Sequence, residues 1–302
     1  MKIISCILLW IFFLLPTIRA EDNSALELHF IDVGYGDAIL IKSPSGRFAL
    51  IDTGYPEAAG RVSAYLRERN VETLDHLIIT HPHPDHLGGA AGLLKQFRVE
   101  QIYDNGQKID QFDERLTVSR GREYERSVRE RESYRVLKAG DTIQWDGVSL
   151  EVLWPPDTRA GRDWNANSLS IMLCYDGFRA FLAADNNTVS EQELLKKGEQ
   201  ALKAGLLKVG HHDAGDATGP AFLRAVSPRW AVVSVGESPW NYPSPAVLRR
   251  LEGQCERVFR TDRDGNIIVM ILPSGEIRTI KTSRSSVPVW HCIDTGSGIV
   301  QN

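Results

Sequence analysis

Within six residues, His81-Pro82-His83-Pro84-Asp85-His86 gathers three imidazoles and a carboxylate. The cluster follows Leu74 to Ile79, a mostly apolar stretch that reads as a strand buried on both faces. It precedes Leu87-Gly88-Gly89, which reads as the opening of a helix reaching about Phe97. Pro82 and Pro84 stiffen the loop and hold it extended. In an extended loop His81 and His83 point to the same side and can grip one cation together. Asp85 and His86, at the turn into the helix, can reach a second. Imidazole and carboxylate suit Zn, Mn or Fe, with no thiolate required. The alternative is a histidine-rich polar loop without metal; density and position speak against it.

A closed site needs ligands from distant segments, so the fold must bring several strand ends together. Asp185 ends the apolar strand Phe181-Leu182-Ala183-Ala184 and can bridge two cations; otherwise it is a turn or helix-capping residue. His211 and His212 follow the short strand Leu206 to Val209. One can ligate while the other serves as an acid or supports a ligand, and the sequence leaves open which. Asp52 ends the strand Arg47 to Ile51. It can orient a ligand histidine through the imidazole N–H, or be a turn residue before Gly54. The expected catalytic residues are thus Asp85, His212 and Asp52. The expected ligands are His81, His83, Asp85, His86, Asp185, His211 and His212, holding two divalent ions, Zn or Mn. His29, His76 and His291 read as structural.

Further strands are expected at 26–33, 38–41, 99–103, 142–145, 148–153, 169–175, 179–183, 230–235, 258–260, 267–272 and 277–281. Helices are expected at 57–69, 190–197, 221–225 and 245–251. Strand-rich stretches alternating with surface helices in two halves predict an α/β (α+β) fold, an αβ/βα sandwich of two sheets packed face to face with helices outside. Residues 113–135 hold seven Arg against six Asp plus Glu. This near balance predicts a solvated helix or lid, with a phosphate-binding arm as the alternative.

Lys2, the apolar run Ile3 to Leu15 and Pro16 to Ala20 read as a secretory signal peptide at 1–20, cut after Ala20, with an uncleaved anchor as the alternative. A secreted or periplasmic location follows, with no integral membrane domain after cleavage. Loss of Lys2 and Arg19 would move the formal charge from −4 to −6, which argues against a non-specific grip on nucleic acid. Cys6 leaves with that segment. Cys174, in an apolar run, is expected to be a buried thiol, and Cys255 and Cys292 are a possible pair.

The set Asp52-Thr53-Gly54, His81 to His86, Asp185 and His211-His212 resembles the metallo-β-lactamase superfamily. More narrowly, the chain resembles the extracytoplasmic hydrolase domain of ComEC-like competence proteins. Phe30-Ile31-Asp32-Val33-Gly34-Tyr35-Gly36-Asp37-Ala38 carries that likeness, as do Asn167-Ser168-Leu169 and Leu207-Lys208-Val209-Gly210-His211-His212. Val233-Ser234-Val235-Gly236 and Pro243-Ser244-Pro245-Ala246-Val247-Leu248 extend it. The resemblance covers about residues 26–282, leaving 283–302 as a C-terminal tail. It implies a metal-activated water acting on phosphodiesters, with DNA as a candidate substrate. In the wider superfamily a further histidine just before Leu169 completes the first metal shell; here that region has Asn165, Asn167 and Ser168, which implies a weaker or water-filled shell. Two departures bear on the substrate. The usual His-His-Gly-Ser is His211-His212-Asp213-Ala214, and the usual Gly-His-Pro-Ser is Asn241-Tyr242-Pro243-Ser244. The alternatives are hydrolysis of another ester, such as a phosphorylcholine ester or a lactone (a β-lactam fits least), and a metal-holding DNA- or polymer-binding module without turnover.

Overall fold

The structure, a computed structural model, describes residues 25–107, 115–128, 131–156, 163–238 and 240–283. The expected signal peptide, Cys292, His291 and the tail beyond residue 283 lie outside the described residues. Strands β1 (Leu26–Phe30), β2 (Ile39–Lys42), β3 (Phe48–Ile51), β4 (Thr73–Ile79), β5 (Arg98–Asp104) and β6 (Tyr134–Val136) come first. They are followed by β7 (Thr142–Trp145), β8 (Val148–Trp154), β9 (Ser170–Tyr175), β10 (Phe178–Leu182) and β11 (Leu206–Lys208). Strands β12 (Trp230–Val233), β13 (Arg257–Arg260), β14 (Ile267–Ile271) and β15 (Ile277–Thr282) complete the set. One sheet has the order β15-β14-β1-β2-β3-β4-β5-β6, the other β13-β12-β11-β10-β9-β8-β7.

The two-residue period of each strand divides its side chains between two layers. Ile39 and Ile41 of β2, and Ile171 and Leu173 of β9, face the core between the sheets, beside Phe30, Trp145, Leu150, Val232 and Val269. Leu40, Leu50, Leu77 and Ile79 face outward, under helix α1 (Ala59–Glu68). Met172, Phe181 and Leu207 face outward under α5 (Thr188–Leu195), α7 (Pro220–Val226) and α8 (Pro245–Gln254). The molecule is therefore the expected αβ/βα sandwich.

Several local expectations change. The helix foreseen from Leu87 to Phe97 is two single turns, α2 (Pro84–Leu87) and α3 (Ala90–Leu93). The first starts at Pro84, whose fixed φ and missing N–H suit a first helical position, so Asp85 and His86 are helical. Strand β4 is not buried throughout: Asp75 turns outward and accepts from Arg47 at 2.5 Å. His76 packs edge-on against Trp145. The charged segment contains α4 (Arg115–Val128), which seats Tyr124 and Val128 against Leu87 and Leu93; β6 follows it. A short helix α6 (Glu199–Leu202) and a last turn α9 (Thr261–Asp264) were not foreseen. Cys174 is half-buried rather than buried, because it falls on the outer face of β9; Cys255 is buried.

Candidate metal centre

The ends of β3, β4, β10 and β11, together with the β1–β2 loop, meet at one edge of the sandwich. Each brings a titratable side chain. Asp85, His86, Asp185 and His212 place ligand atoms within 4.8 Å of one another, and so do His81, His83 and Asp185. All but His83 are buried. Asp185 belongs to both groups.

Three of these histidines are fixed in the same way. Nδ1 of His81 donates to Thr80 Oγ1 at 3.1 Å, Nδ1 of His86 to Asp52 Oδ2 at 2.7 Å, and Nδ1 of His212 to the Ser234 carbonyl at 2.9 Å. With Nδ1 so occupied, each Nε2 faces the shared space and, in the neutral ring, offers it a lone pair. Asp52 is itself held by the Thr80 amide at 2.8 Å and hydroxyl at 2.7 Å. It therefore positions His86 and does not line the space itself.

Inside the cluster, Nε2 of His212 lies 3.1 Å from Asp85 and 3.4 Å from Asp185. Nε2 of His86 lies 3.2 Å from Asp185 Oδ1, yet neither atom makes a hydrogen bond among the described residues. Nε2 of His81 is 2.9 Å from His83 Nδ1 and 3.7 Å from Asp185. Lone pairs and carboxylates facing one another in a buried space are unfavourable unless a proton or a cation lies between them. The donor set, nitrogen and oxygen only, fits borderline divalent ions. Burial opposes charge on His86, but Asp185, Asp52 and Asp85 outweigh it and hold its pKa well above the usual imidazole value. Burial also opposes charge on Asp185, and His212 and His86 outweigh it, keeping that carboxyl well below its ordinary range. His81, desolvated and beside His86 and His83, is pushed well below.

The pair left open in the sequence separates here. His212 enters the cluster; His211 does not. Nδ1 of His211 meets Asp216 at 3.0 Å and its Nε2 meets Asn165 at 3.0 Å. The reason is backbone: His211, His212 and Asp213 have φ of 45°, 50° and 67°, a left-handed run that turns the two rings apart. His211 thus drops out of the expected ligand set. The Asn165 region, read as a gap in one metal shell, is the partner of His211 instead.

Sequence reasoning missed Asp37 and Lys208. Lys208 is fully buried, pairs with Asp37 and donates to the Ala184 carbonyl at 3.1 Å. Asp37 Oδ1 and Oδ2 lie 3.8 Å and 3.9 Å from Nδ1 of His212 and His86. The signal was present: a lysine in the apolar run Leu206 to Val209 has to find a buried partner.

Residues 31–162 match the model of the metallo-β-lactamase superfamily. ComE operon protein 3 of Bacillus subtilis is 29% identical over 284 residues, covering 87% of this chain and 35% of that protein. Competence protein ComA of Neisseria gonorrhoeae is 29% identical over 252 residues, covering 83% and 33%. The chain thus spans about a third of the length of these curated relatives. The crystal structure of the metallo-β-lactamase fold protein YhfI from Bacillus subtilis superimposes with a TM-score of 0.53 at 12% identity, covering 82% of this chain and 99% of that one. Among the described residues, no helix is long and apolar enough to cross a membrane. The fold is thus that of the metallo-β-lactamase proteins, and residues 31–162, which hold the His81 to His86 cluster, carry the match to that superfamily.

Proposed function

We propose that this chain is an exported phosphodiesterase that works with two divalent cations, Zn or Mn, and that a nucleic acid such as DNA is its substrate. The observation that carries the reading is Asp185: one buried carboxylate shared by two ligand groups, facing three Nε2 atoms whose other ring nitrogens are already engaged. One ion fits His81, His83 and Asp185; the other fits Asp85, His86, Asp185 and His212. Cations held there supply Lewis acidity and lower the pKa of bound water. The protein's own residues do the rest. Thr80, Asp52 and the Ser234 carbonyl lock the ring orientations. Asp85, at the turn into α2, can also accept a proton from an attacking water. His211, with its Nδ1 on Asp216, can carry a proton for the leaving oxygen: burial opposes its charge, but the Asp216 hydrogen bond and then Asp185 outweigh that and raise its pKa.

The phosphodiester assignment is supported by the competence-protein relatives, which align over most of this chain. Export is supported by the apolar segment at 3–15 followed by Ala20. N-terminal sequencing of the protein recovered from outside the cytoplasm should begin at Glu21.

The decisive experiment measures metal content and hydrolysis of an oligonucleotide with added Zn or Mn, beside an Asp85→Ala, His86→Ala double variant. About two ions per chain and metal-dependent cleavage, both reduced in the variant, support the assignment. A chain that takes up metal, binds oligonucleotide and never cleaves it is a binding module instead. Cleavage of a lactone or a phosphorylcholine ester in preference moves the activity to another ester.

A further inference from the structure

Beside the metal cluster lies an aromatic surface that coordination does not require. The Tyr35 ring lies 4.5 Å from that of His212, centre to centre. Trp240 lies 5.4 Å from Tyr35, and Tyr242 lies 6.1 Å from Tyr35 and 6.3 Å from Trp240. Tyr242 also meets His211 edge-on at 5.8 Å. Trp240 is 56% exposed, unusual for so large an apolar side chain. Its ring centre is within about 10 Å of the His212 ring.

The platform is built, not incidental. Tyr35 comes from the β1–β2 loop, Trp240 and Tyr242 from the loop between β12 and α8. The two loops are pressed together at Gly236, where a Cβ would collide with the backbone of Gly34 and Tyr35. Only a glycine allows this approach, so the aromatic rings are tied to the loop that also carries Asp37.

Ring geometry selects the ligand. Tyr242 is nearly parallel to Tyr35 (22°) and to Trp240 (27°), while Tyr35 and Trp240 are tilted by 40° to each other. Near-parallel rings at these spacings leave no room for an inserted group. Of the three rings, Trp240 is the one exposed among the described residues, backed by the other two. A cage for a quaternary ammonium needs walls turned toward a common centre. One exposed ring, backed by others, suits another flat ring. The neighbouring groove is lined by Asp32, Glu237 and Asp262, with Arg61 the cation among its described residues, and Arg61 already donates to the Asp32 carbonyl at 2.9 Å. A polyanion would gain little grip there through its phosphates.

We infer that Trp240, backed by Tyr35 and Tyr242, is a stacking subsite for an unpaired nucleobase next to the phosphodiester at the metal cluster, and that it selects single-stranded nucleic acid. The inference rests on the phosphodiesterase reading above. Only a base out of its duplex offers a free face. Because stacking rather than phosphate neutralisation supplies the affinity, binding depends weakly on salt.

The test reads binding without turnover. Fluorescence anisotropy of labelled oligothymidylate on the metal-free full chain is compared with the same oligomer carrying abasic sites. The wild type should prefer the base-bearing oligomer by roughly 5- to 100-fold. Trp240→Ala should lose that preference and Trp240→Phe keep most of it. With Mn added, Trp240→Ala should raise KM for oligothymidylate and leave kcat within about twofold, as expected when uniform binding is lost. Preference retained in Trp240→Ala overturns the inference. So does a wild type with no preference whose Trp240 emission is quenched by choline, which makes the surface a cation site. If stacking fails while cleavage persists, the phosphodiesterase reading stands. If stacking holds and no metal gives cleavage, that reading fails alone.

Discussion

Asp52 Oδ2 lies 2.7 Å from Nδ1 of His86, and the same carboxylate takes both the amide and the hydroxyl of Thr80. One side chain at the end of β3 therefore fixes the end of β4 and the ring that faces Asp185. An asparagine can still accept from the Thr80 amide, but its NH2 cannot accept from His86. The His86 ring then loses its preferred tautomer. Asp52→Asn should weaken the affinity of one metal by roughly 10- to 100-fold, with the fold retained. Competition against a chromophoric chelator reads this directly; unchanged affinities would mean that Asp52 only closes a turn.

Asp185 stands in both ligand groups, whereas His83 stands in one. Asp185→Asn should therefore impair both sites, and His83→Ala only one. Metal analysis of the purified variants separates the cases: near zero against about one ion per chain. Equal losses would argue for a single composite site.

The β1–β2 loop touches the metal motif through backbone. Gly36 has φ +123°, and a Cβ there would be driven into the Asp85 carbonyl oxygen and side chain. Asp37 N donates to that same oxygen at 3.1 Å. Gly34, with φ +79°, has nothing within 4 Å of the corresponding point. Gly34→Ala should cost about 1–2 kcal/mol for its left-handed backbone alone. Gly36→Ala should cost more, because it adds a collision, and should also displace Asp85 and lower metal affinity. Urea unfolding of the two variants, each with its metal titration, distinguishes the contributions.

The sandwich was legible because apolar residues alternate along β8, whereas β2 and β9 are apolar runs of the kind that is buried on both faces, between the other sheet and the outer helices. The ligand cluster was legible because His81, His83, Asp85 and His86 are local, and because Asp185 and His212 follow apolar strands. What escaped depends on conformation or distance. No spacing rule foretells three consecutive left-handed residues, so the roles of His211 and His212 stayed undivided. Asp37 and Lys208 are far apart in the chain, and a lysine in a strand ordinarily points to solvent. The α2–α3 break came from reading Gly88-Gly89 as a helix start. Gly88 instead packs where a Cβ would strike Pro84 and Pro56, and Gly89 packs against Thr53.

Asp213 occupies the position where the resemblance leads one to expect glycine, and the structure shows why glycine would suit it. Its φ is 67°, its side chain is buried, and neither carboxylate oxygen has a hydrogen-bond partner among the described residues. Burial pushes its pKa up to about 8, against weaker opposing pulls from Arg260 and Arg250. The folded state therefore holds a proton that the unfolded chain releases near pH 4. Stability should fall as pH rises from about 4 to 8 and level off above, since the native state binds the extra proton throughout that window. Asp213→Asn keeps the shape and removes the titration. Its advantage over the wild type should be small at pH 4 and grow to several kcal/mol by pH 8, with a ceiling of roughly 5–6 for a pKa raised from about 4 to about 8. Thermal melts of both proteins across that range supply the curve. A constant difference between them would mean that Asp213 keeps its charge in the folded chain, against Arg260 and Arg250.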